Sequence, residues 1–338
     1  MADLVPPGAT PTRIVTGLIS PEGPACDSSG ALYYCDFIAV PDNQQRGKVY
    51  KLGTAAPVVS NINVPSGLAF DRENRLIISG QNTIWRREAG GSLTVLAQGD
   101  SLKQANDLTL TSQGGIFFTA NNWTAESYVY YLSPQGVLSK KLLTYTGGTN
   151  FPNGIEYWEE KGILLVCLTQ KNCIMRYPVT LPPAVNPGGT TFCTITGPDG
   201  LLIDEHGNVW AAGGNQSVWV MDSTGAKIGE IAVGVAITNV CLGGSDGKTL
   251  YITGGSGVYS IPTLVKGRKV SWTTNAATKP MIRHVRHGIS PKHTVRMGPS
   301  AHGPSQVVVE ATSSALFNSA GKLIAHQPGS TPALLFPR

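Results

Sequence analysis

Six oxygen-bearing side chains recur along the 338 residues: Glu22, Ser66, Asn106, Asn153, Asp199 and Thr238, at intervals of 44, 40, 47, 46 and 39. Each opens a stretch of one pattern: EGPACDSSGALYYCD at 22–36, SGLAFDRENRLIISG at 66–80, NDLTLTSQGGIFFTA at 106–120, NGIEYWEEKGILLVC at 153–167, DGLLIDEHGNVWAAG at 199–213 and TNVCLGGSDGKTLYITG at 238–254. Two carboxylates and two amides gathered at one place make poor core filler but suit a hard cation, because Ca2+ takes about six to eight oxygen ligands and water or substrate can complete the set. No His or Cys stands at this position, which argues against a zinc or iron site built on nitrogen and sulfur. Ca2+ is therefore the expected ion, with Mg2+, Mn2+ or Zn2+ as other divalent candidates. PSG, PNG and PDG are also ordinary turn tripeptides. Turn chemistry, however, does not require a Glu before Gly23 or an Asn before Asp107, yet both fall at the same repeat position.

The elements that must bring these residues together follow from the repeat. Each unit reads as a short apolar strand, a polar turn such as 27–30, 71–74 or 204–207, and a second alternating strand. A third strand then follows: KVYKL, TIWRRE, YVYYLS, CIMRYPV, SVWVMD and GVYSIP in turn. A period of about 40 to 50 residues with three or four strands per unit belongs to propeller blades, since each small sheet buries its faces only against the next. Helical periodicity is absent, and the period is too long for a parallel β-helix. The chain is thus expected to be an all-β, six-bladed β-propeller over residues 1–265, with TRIVTGLI at 12–19 closing the last blade and a C-terminal extension over 266–338. In a propeller the first residue of each innermost strand borders the central channel, so the six recurring side chains converge there.

Composition agrees with many turns, with 40 Gly and 23 Pro, and no apolar run approaches the ~20 residues of a membrane span. The net charge of +5 divides unevenly: 16 basic and 20 acidic residues precede Leu264, while 10 basic and one acidic follow it. The cationic charges of the extension are dispersed, so neither nucleic acid nor a membrane is an expected partner. The extension is expected to pack on the propeller or on a neighbouring subunit, which would make a homo-oligomer. The N-terminus lacks a secretory pattern, so a cytoplasmic location with six reduced cysteines is expected. GGSDG at 243–247 matches the letters of a nucleophile elbow around Ser245, but KTLYITG continues as a strand where that motif needs a helix. Ser300, His302 and Ser305 read as a linker, and His206 as a turn residue.

At the recurring residues the sequence resembles the family of senescence-marker proteins, gluconolactonases and luciferin-regenerating enzymes, six-bladed propellers that include regucalcin. The resemblance covers 12–262 and is carried by EGP at 22–24 with LYYCD after it, AND at 105–107, PNG at 152–154, PDGLLIDEHGNVWAA at 198–212 and the stretch 238–254. It implies a divalent cation, often Ca2+, held by Glu22, Asn106, Asn153 and Asp199, the set that repeat position also selects. In lactonases of this family the cation polarises a lactone carbonyl and the Asp ligand acts as general base. Those roles fall on Asp199 as base and Glu22 as ligand, with Asp107 orienting its neighbour. One departure stands out: sugar-lactone hydrolases of the family carry an Arg where this chain has Gln104, which removes a forked cationic donor.

The leading expectation is a metal-dependent hydrolase of a lactone or related ester. Its small-molecule substrate is a hydrophobic or specialised metabolite, contacted by Gln104, Asn106, Trp123 and Phe151. The alternatives are a non-hydrolytic cyclase or condensing catalyst of secondary metabolism on the same scaffold, and a binding propeller with a structural metal.

Overall fold

The computed structural model describes residues 3–37, 47–102, 104–122, 125–146, 150–214, 216–270 and 272, and four short strands within 307–336. The chain divides into two compact units, Met1–Pro280 and Met281–Arg338. The first is a six-bladed propeller. Its inner strands are Pro21–Cys26, Leu68–Phe70, Ala105–Leu110, Pro152–Trp158, Leu201–Ile203 and Ile237–Gly243, one to a blade, each followed by strands that pair antiparallel toward the rim.

Asp-centred polar turns set the first hairpin of blades 1, 2 and 5. Asp27 Oδ1 accepts the N–H groups of Ser29 and Ala31, Asp71 Oδ1 those of Glu73 and Arg75, and Asp204 Oδ1 those of His206 and Asn208, all within 3.1 Å. The aspartate takes donors two and four residues on, so the chain reverses where the sequence repeats place Asp and Gly. His206 is an exposed member of such a turn, and Ser245 lies in the turn that leads into the strand Thr249–Gly254.

Apolar strand faces pack blade against blade. Six hydrophobic clusters result, one for each junction: Val49 with Leu68 between blades 1 and 2, Ile84 with Phe118 between 2 and 3, Phe117 with Leu164 between 3 and 4, Leu165 with Val209 between 4 and 5, Val220 with Ile252 between 5 and 6, and Leu32 with Tyr251 between 6 and 1. The ring closes as the N-terminal segment predicts: Thr12–Thr16 pairs antiparallel with Gly257–Pro262 and supplies the outer strand of blade 6.

After the last blade the chain crosses the propeller as a strap. Lys266 O accepts from Glu205 N at 2.9 Å, and Arg268 N donates to Ile203 O at 2.9 Å. Arg268 reaches Glu156 and the Tyr157 carbonyl, and Trp272 packs on the cluster between blades 2 and 3. Ile203 lies four residues past Asp199, and Glu156 and Tyr157 three and four past Asn153, so the strap crosses the mouth opposite to those two residues. In the second unit, Val307–Val309 pairs with Leu334–Phe336 and Leu316–Phe317 with Leu323–Ala325. No helix among the described residues is long and apolar enough to cross a membrane.

Candidate functional site

Side-chain hydroxyls of one blade, bonded to backbone carbonyls of the next, fix the first residues of the inner strands. The Ser79 hydroxyl donates to Asn106 O, Thr119 Oγ1 to Asn153 O at 2.8 Å, Thr169 Oγ1 to Pro198 O at 2.8 Å and Thr238 Oγ1 to Pro21 O at 2.7 Å. Each hydroxyl therefore holds the start of the neighbouring blade's inner strand, so the recurring side chains share one level. Gly154 N also donates to Asp199 O at 3.1 Å. That approach requires glycine, because a Cβ at 154 would overlap the Asp199 carbonyl oxygen.

The side chains from alternate blades sense one another at the axis. Burial pushes the Glu22 carboxyl up to about 8, the Asp107 charge adds to the rise, and the Gly23 N–H opposes it. Asp199 rises well above the usual carboxylate range through burial, then through the charges of Glu22 and Asp107. Asp107 is pushed by burial to about 7, held back by the N–H groups of Leu108 and Ile155 and by the Asn239 amide, while the Glu156 charge adds to the rise. Glu22 and Asp199 are half-buried, because they line the channel whose walls strip away most of their water.

Asn153 completes the picture. Its Nδ2 donates to Thr169 Oγ1 at 3.2 Å, which fixes the amide, and its buried Oδ1 has no protein partner. A buried acceptor left unpaired is costly. Among the described residues no three His, Cys, Asp or Glu side chains form a metal cluster, so any cation here depends on amide oxygens beside the two carboxylates. Carboxylates whose pKa values burial and neighbouring negative charge raise, an orphaned amide oxygen and an all-oxygen donor set fit a divalent cation. Glu22, Asn153 and Asp199 would hold it, with Asn106, half-buried at the same level, beside them.

The remaining expected site residues divide. Gln104, the residue before the inner strand Ala105–Leu110, is exposed with φ 50°, and its carbonyl accepts from Asn121 N at 3.0 Å. Phe151 is buried, and its carbonyl accepts from Thr169 N at 3.0 Å. Trp123 lies outside the described residues. Repeat reasoning passed over Asn239 and Thr169. A signal for Asn239 was present: blades 1, 2, 4 and 5 carry Gly directly after the recurring residue, whereas blades 3 and 6 carry Asp107 and Asn239.

A six-bladed propeller in which blades 1, 3, 4 and 5 converge acidic and amide side chains at one channel mouth defines a class of ring proteins with an oxygen-lined axial site. The chain belongs to the SMP-30/Gluconolactonase/LRE-like family, whose model matches residues 20–256, from the first inner strand to the last blade. It is similar to Pentonolactonase XacC of Haloferax volcanii, at 27% identity over 169 residues, covering 47% of this chain and 56% of that protein. The chain thus spans little more than half the length of that relative. It is also similar to Lactonase drp35 of Staphylococcus aureus, at 24% identity over 236 residues, covering 63% of this chain and 69% of the relative. In fold it resembles the calcium-binding protein regucalcin of Agrobacterium tumefaciens str. C58, with a TM-score of 0.63 at 21% identity over 75% of this chain and 93% of that structure.

Proposed function

We propose that the protein is a divalent-cation-dependent lactonase that hydrolyses a lactone at the channel mouth formed by Glu22, Asn106, Asn153 and Asp199. The orphaned Asn153 Oδ1 beside two mutually repelling carboxylates carries the reading, because such a set is satisfied by a cation placed among them. Two relatives named as lactonases support the reaction class. A structural neighbour described as calcium-binding agrees with Ca2+.

When bound, the cation would supply Lewis-acid polarisation of the lactone carbonyl and charge for the developing oxyanion. Asp199 takes the proton from the attacking water, a role suited to a carboxylate whose basicity its surroundings raise. Glu22 balances the site's charge, and Thr169 keeps the Asn153 oxygen free of the protein's own donors. Asn106 orients the substrate at the mouth. Gln104, neutral and exposed, offers hydrogen bonds but no cation, which favours a lactone with an apolar portion over a polyhydroxy acid derivative.

The test is hydrolysis of a panel of aliphatic and sugar γ- and δ-lactones, followed by proton release and product mass. Turnover adds one water, disappears with a chelator, returns with Ca2+, and falls by about a hundredfold or more in kcat for Asp199→Asn. A product that gains no water, or turnover indifferent to both chelator and Asp199→Asn, would overturn the reading.

A further inference from the structure

The junction where the first repeat meets the last carries a pair of thiols that the lactonase reading does not use. Cys26 ends the inner strand Pro21–Cys26 of blade 1, and Cys241 stands on the inner strand Ile237–Gly243 of blade 6. Their Sγ atoms are 3.7 Å apart, although 215 positions separate them in sequence. Gly243 makes the approach possible: it lies two residues past Cys241 on the same strand face, and a Cβ there would overlap Cys26 Sγ. Both cysteines are partly accessible and line a cavity of about 230 Å³ in the channel, shared with Phe70, Leu108 and Val270. Cys35, Cys167 and Cys173, by contrast, are buried in the sheets. Small solutes that enter this cavity reach the pair, and a disulfide would close the gap between the sulfurs from 3.7 Å to about 2 Å.

We propose that Cys26 and Cys241 form an oxidation site, at which a two-electron oxidant such as hydrogen peroxide joins them in a disulfide that closes the propeller ring covalently. Cys26 attacks peroxide: an S–O bond forms, the O–O bond breaks, and the departing hydroxide takes up the thiol proton as water. Cys241 then attacks the Cys26 sulfur: the S–S bond forms, the S–O bond breaks, and hydroxide leaves as water with the Cys241 proton. Two thiols lose two electrons and two protons, and one peroxide becomes two waters. Burial and the adjacent thiol push the Cys241 thiol well up, so its attack requires loss of the proton to the departing hydroxide and is the slower of the two steps.

Among the described residues the ring is closed by the pairing of Thr12–Thr16 with Gly257–Pro262 and by packing. A cross-link between its first and last inner strands restrains nearly the whole propeller in the unfolded chain, so thermal unfolding moves up by about 5 °C or more.

The experiment treats the full chain with a few equivalents of hydrogen peroxide, alkylates the remaining thiols, and maps peptides without reduction. The expected result is a peptide linking Cys26 to Cys241, a protein mass lower by two hydrogens, and a raised melting midpoint, all reversed by dithiothreitol. C26S and C241S lose the linkage and the shift, whereas C193S keeps both. The proposal fails if Cys26 and Cys241 are alkylated separately while Cys193 is oxidised, if the linkage joins two chains, or if it forms without moving the midpoint. Peptide mapping of the unmutated protein decides the linkage even where a serine variant does not fold.

Discussion

The Asn239 amide of blade 6 lies close enough to the Asp107 carboxylate of blade 3 to hold down its pKa. Asn239 Oδ1 accepts from Val240 N at 2.8 Å, which leaves the amide nitrogen for Asp107. Asp107 Oδ1 takes the Leu108 N–H at 3.0 Å, and its Oδ2 faces the Ile155 N–H at 3.4 Å. The four other blades place glycine at this level, where a side chain would collide with a neighbouring blade. Two opposed side chains therefore fill the narrow level just past the oxygen-lined mouth, and the pair forms a floor between that mouth and the lower channel.

Replacing Asp107 by Asn keeps the shape of this floor and removes its charge. That charge raises the pKa of both Glu22 and Asp199, and it would also attract a cation held between them. Asp107→Asn is expected to fold, to lower the pH at which the mouth carboxylates ionise, and to weaken Ca2+ binding by about tenfold, or about 1.4 kcal/mol. Titration calorimetry checks the affinity. Unchanged binding would show that the charge does not act at the mouth.

The raised carboxyl groups also make stability depend on pH. Glu22 moves from 4.5 to about 8 and Asp107 from 3.8 to about 7, so between about pH 4 and pH 8 the folded, chelator-treated protein binds more protons than the unfolded chain. Stability then falls as pH rises through that window, because charging the mouth costs more in the folded state. The melting midpoint in chelator is expected to drop between pH 5 and pH 8, less steeply for Glu22→Gln, and saturating Ca2+ should flatten the slope. A Glu22→Gln slope equal to that of the parent would remove these groups as its cause.

Much of this is legible in the sequence, because a propeller writes its period into the chain. The recurring residues Glu22, Asn106, Asn153 and Asp199, the Asp-centred turns and the closing segment Thr12–Thr16 all follow from it. The outer strands were less visible: Leu93–Gln98 and Lys227–Ala232 are largely exposed edges with little apolar alternation to mark them. Asn239 and Thr169 escaped because their roles lie between blades, and one repeat does not disclose what its neighbour places opposite. The strap escaped for a related reason, since Arg268 is one cation among many until Glu156 is seen beneath it.

Gly154→Ala tests whether close contact between blades 4 and 5 sets the position of Asp199. A methyl group there would overlap the Asp199 carbonyl oxygen and lie 2.8 Å from Gly200 Cα, so backbone must move. Overpacking of this kind costs about 1–3 kcal/mol, and the displacement reaches a carboxylate of the mouth. Denaturant unfolding should show that loss together with weaker Ca2+ binding. Gly90→Ala is the control: a Cβ there meets nothing within 4 Å, so it should stay within about 0.5 kcal/mol of the parent.

Arg268 is the anchor of the strap, and its partners contribute unequally. Its Nη2 donates to Glu156 Oε1 at 2.8 Å and to Tyr157 O at 2.7 Å, while Nη1 reaches Glu160 Oε2 at 3.1 Å. The arginine side chain is 11% exposed, Glu156 20% and Glu160 54%. Solvent screens the Glu160 contact to little net value; the Glu156 pair and the carbonyl bond are shielded. Truncation would leave the Glu156 carboxylate with the Thr109 hydroxyl, at 3.0 Å, but without its cation. Breaking a shielded pair from one side costs about 3 kcal/mol, so Arg268→Ala should lower stability by about that amount. Arg268→Lys should recover part of it, since an ammonium group lacks the planar fork that serves Glu156 and Tyr157 together. Val270 follows on the strap and lines the lower channel beside Cys26 and Cys241. Loosening the anchor should therefore also speed alkylation of those two thiols in the folded protein. Faster labelling for Arg268→Ala than for Arg268→Lys, at a denaturant concentration where both stay folded, would mark the strap as the cover of this mouth; equal rates would show that reagents reach the thiols from the Glu22 side.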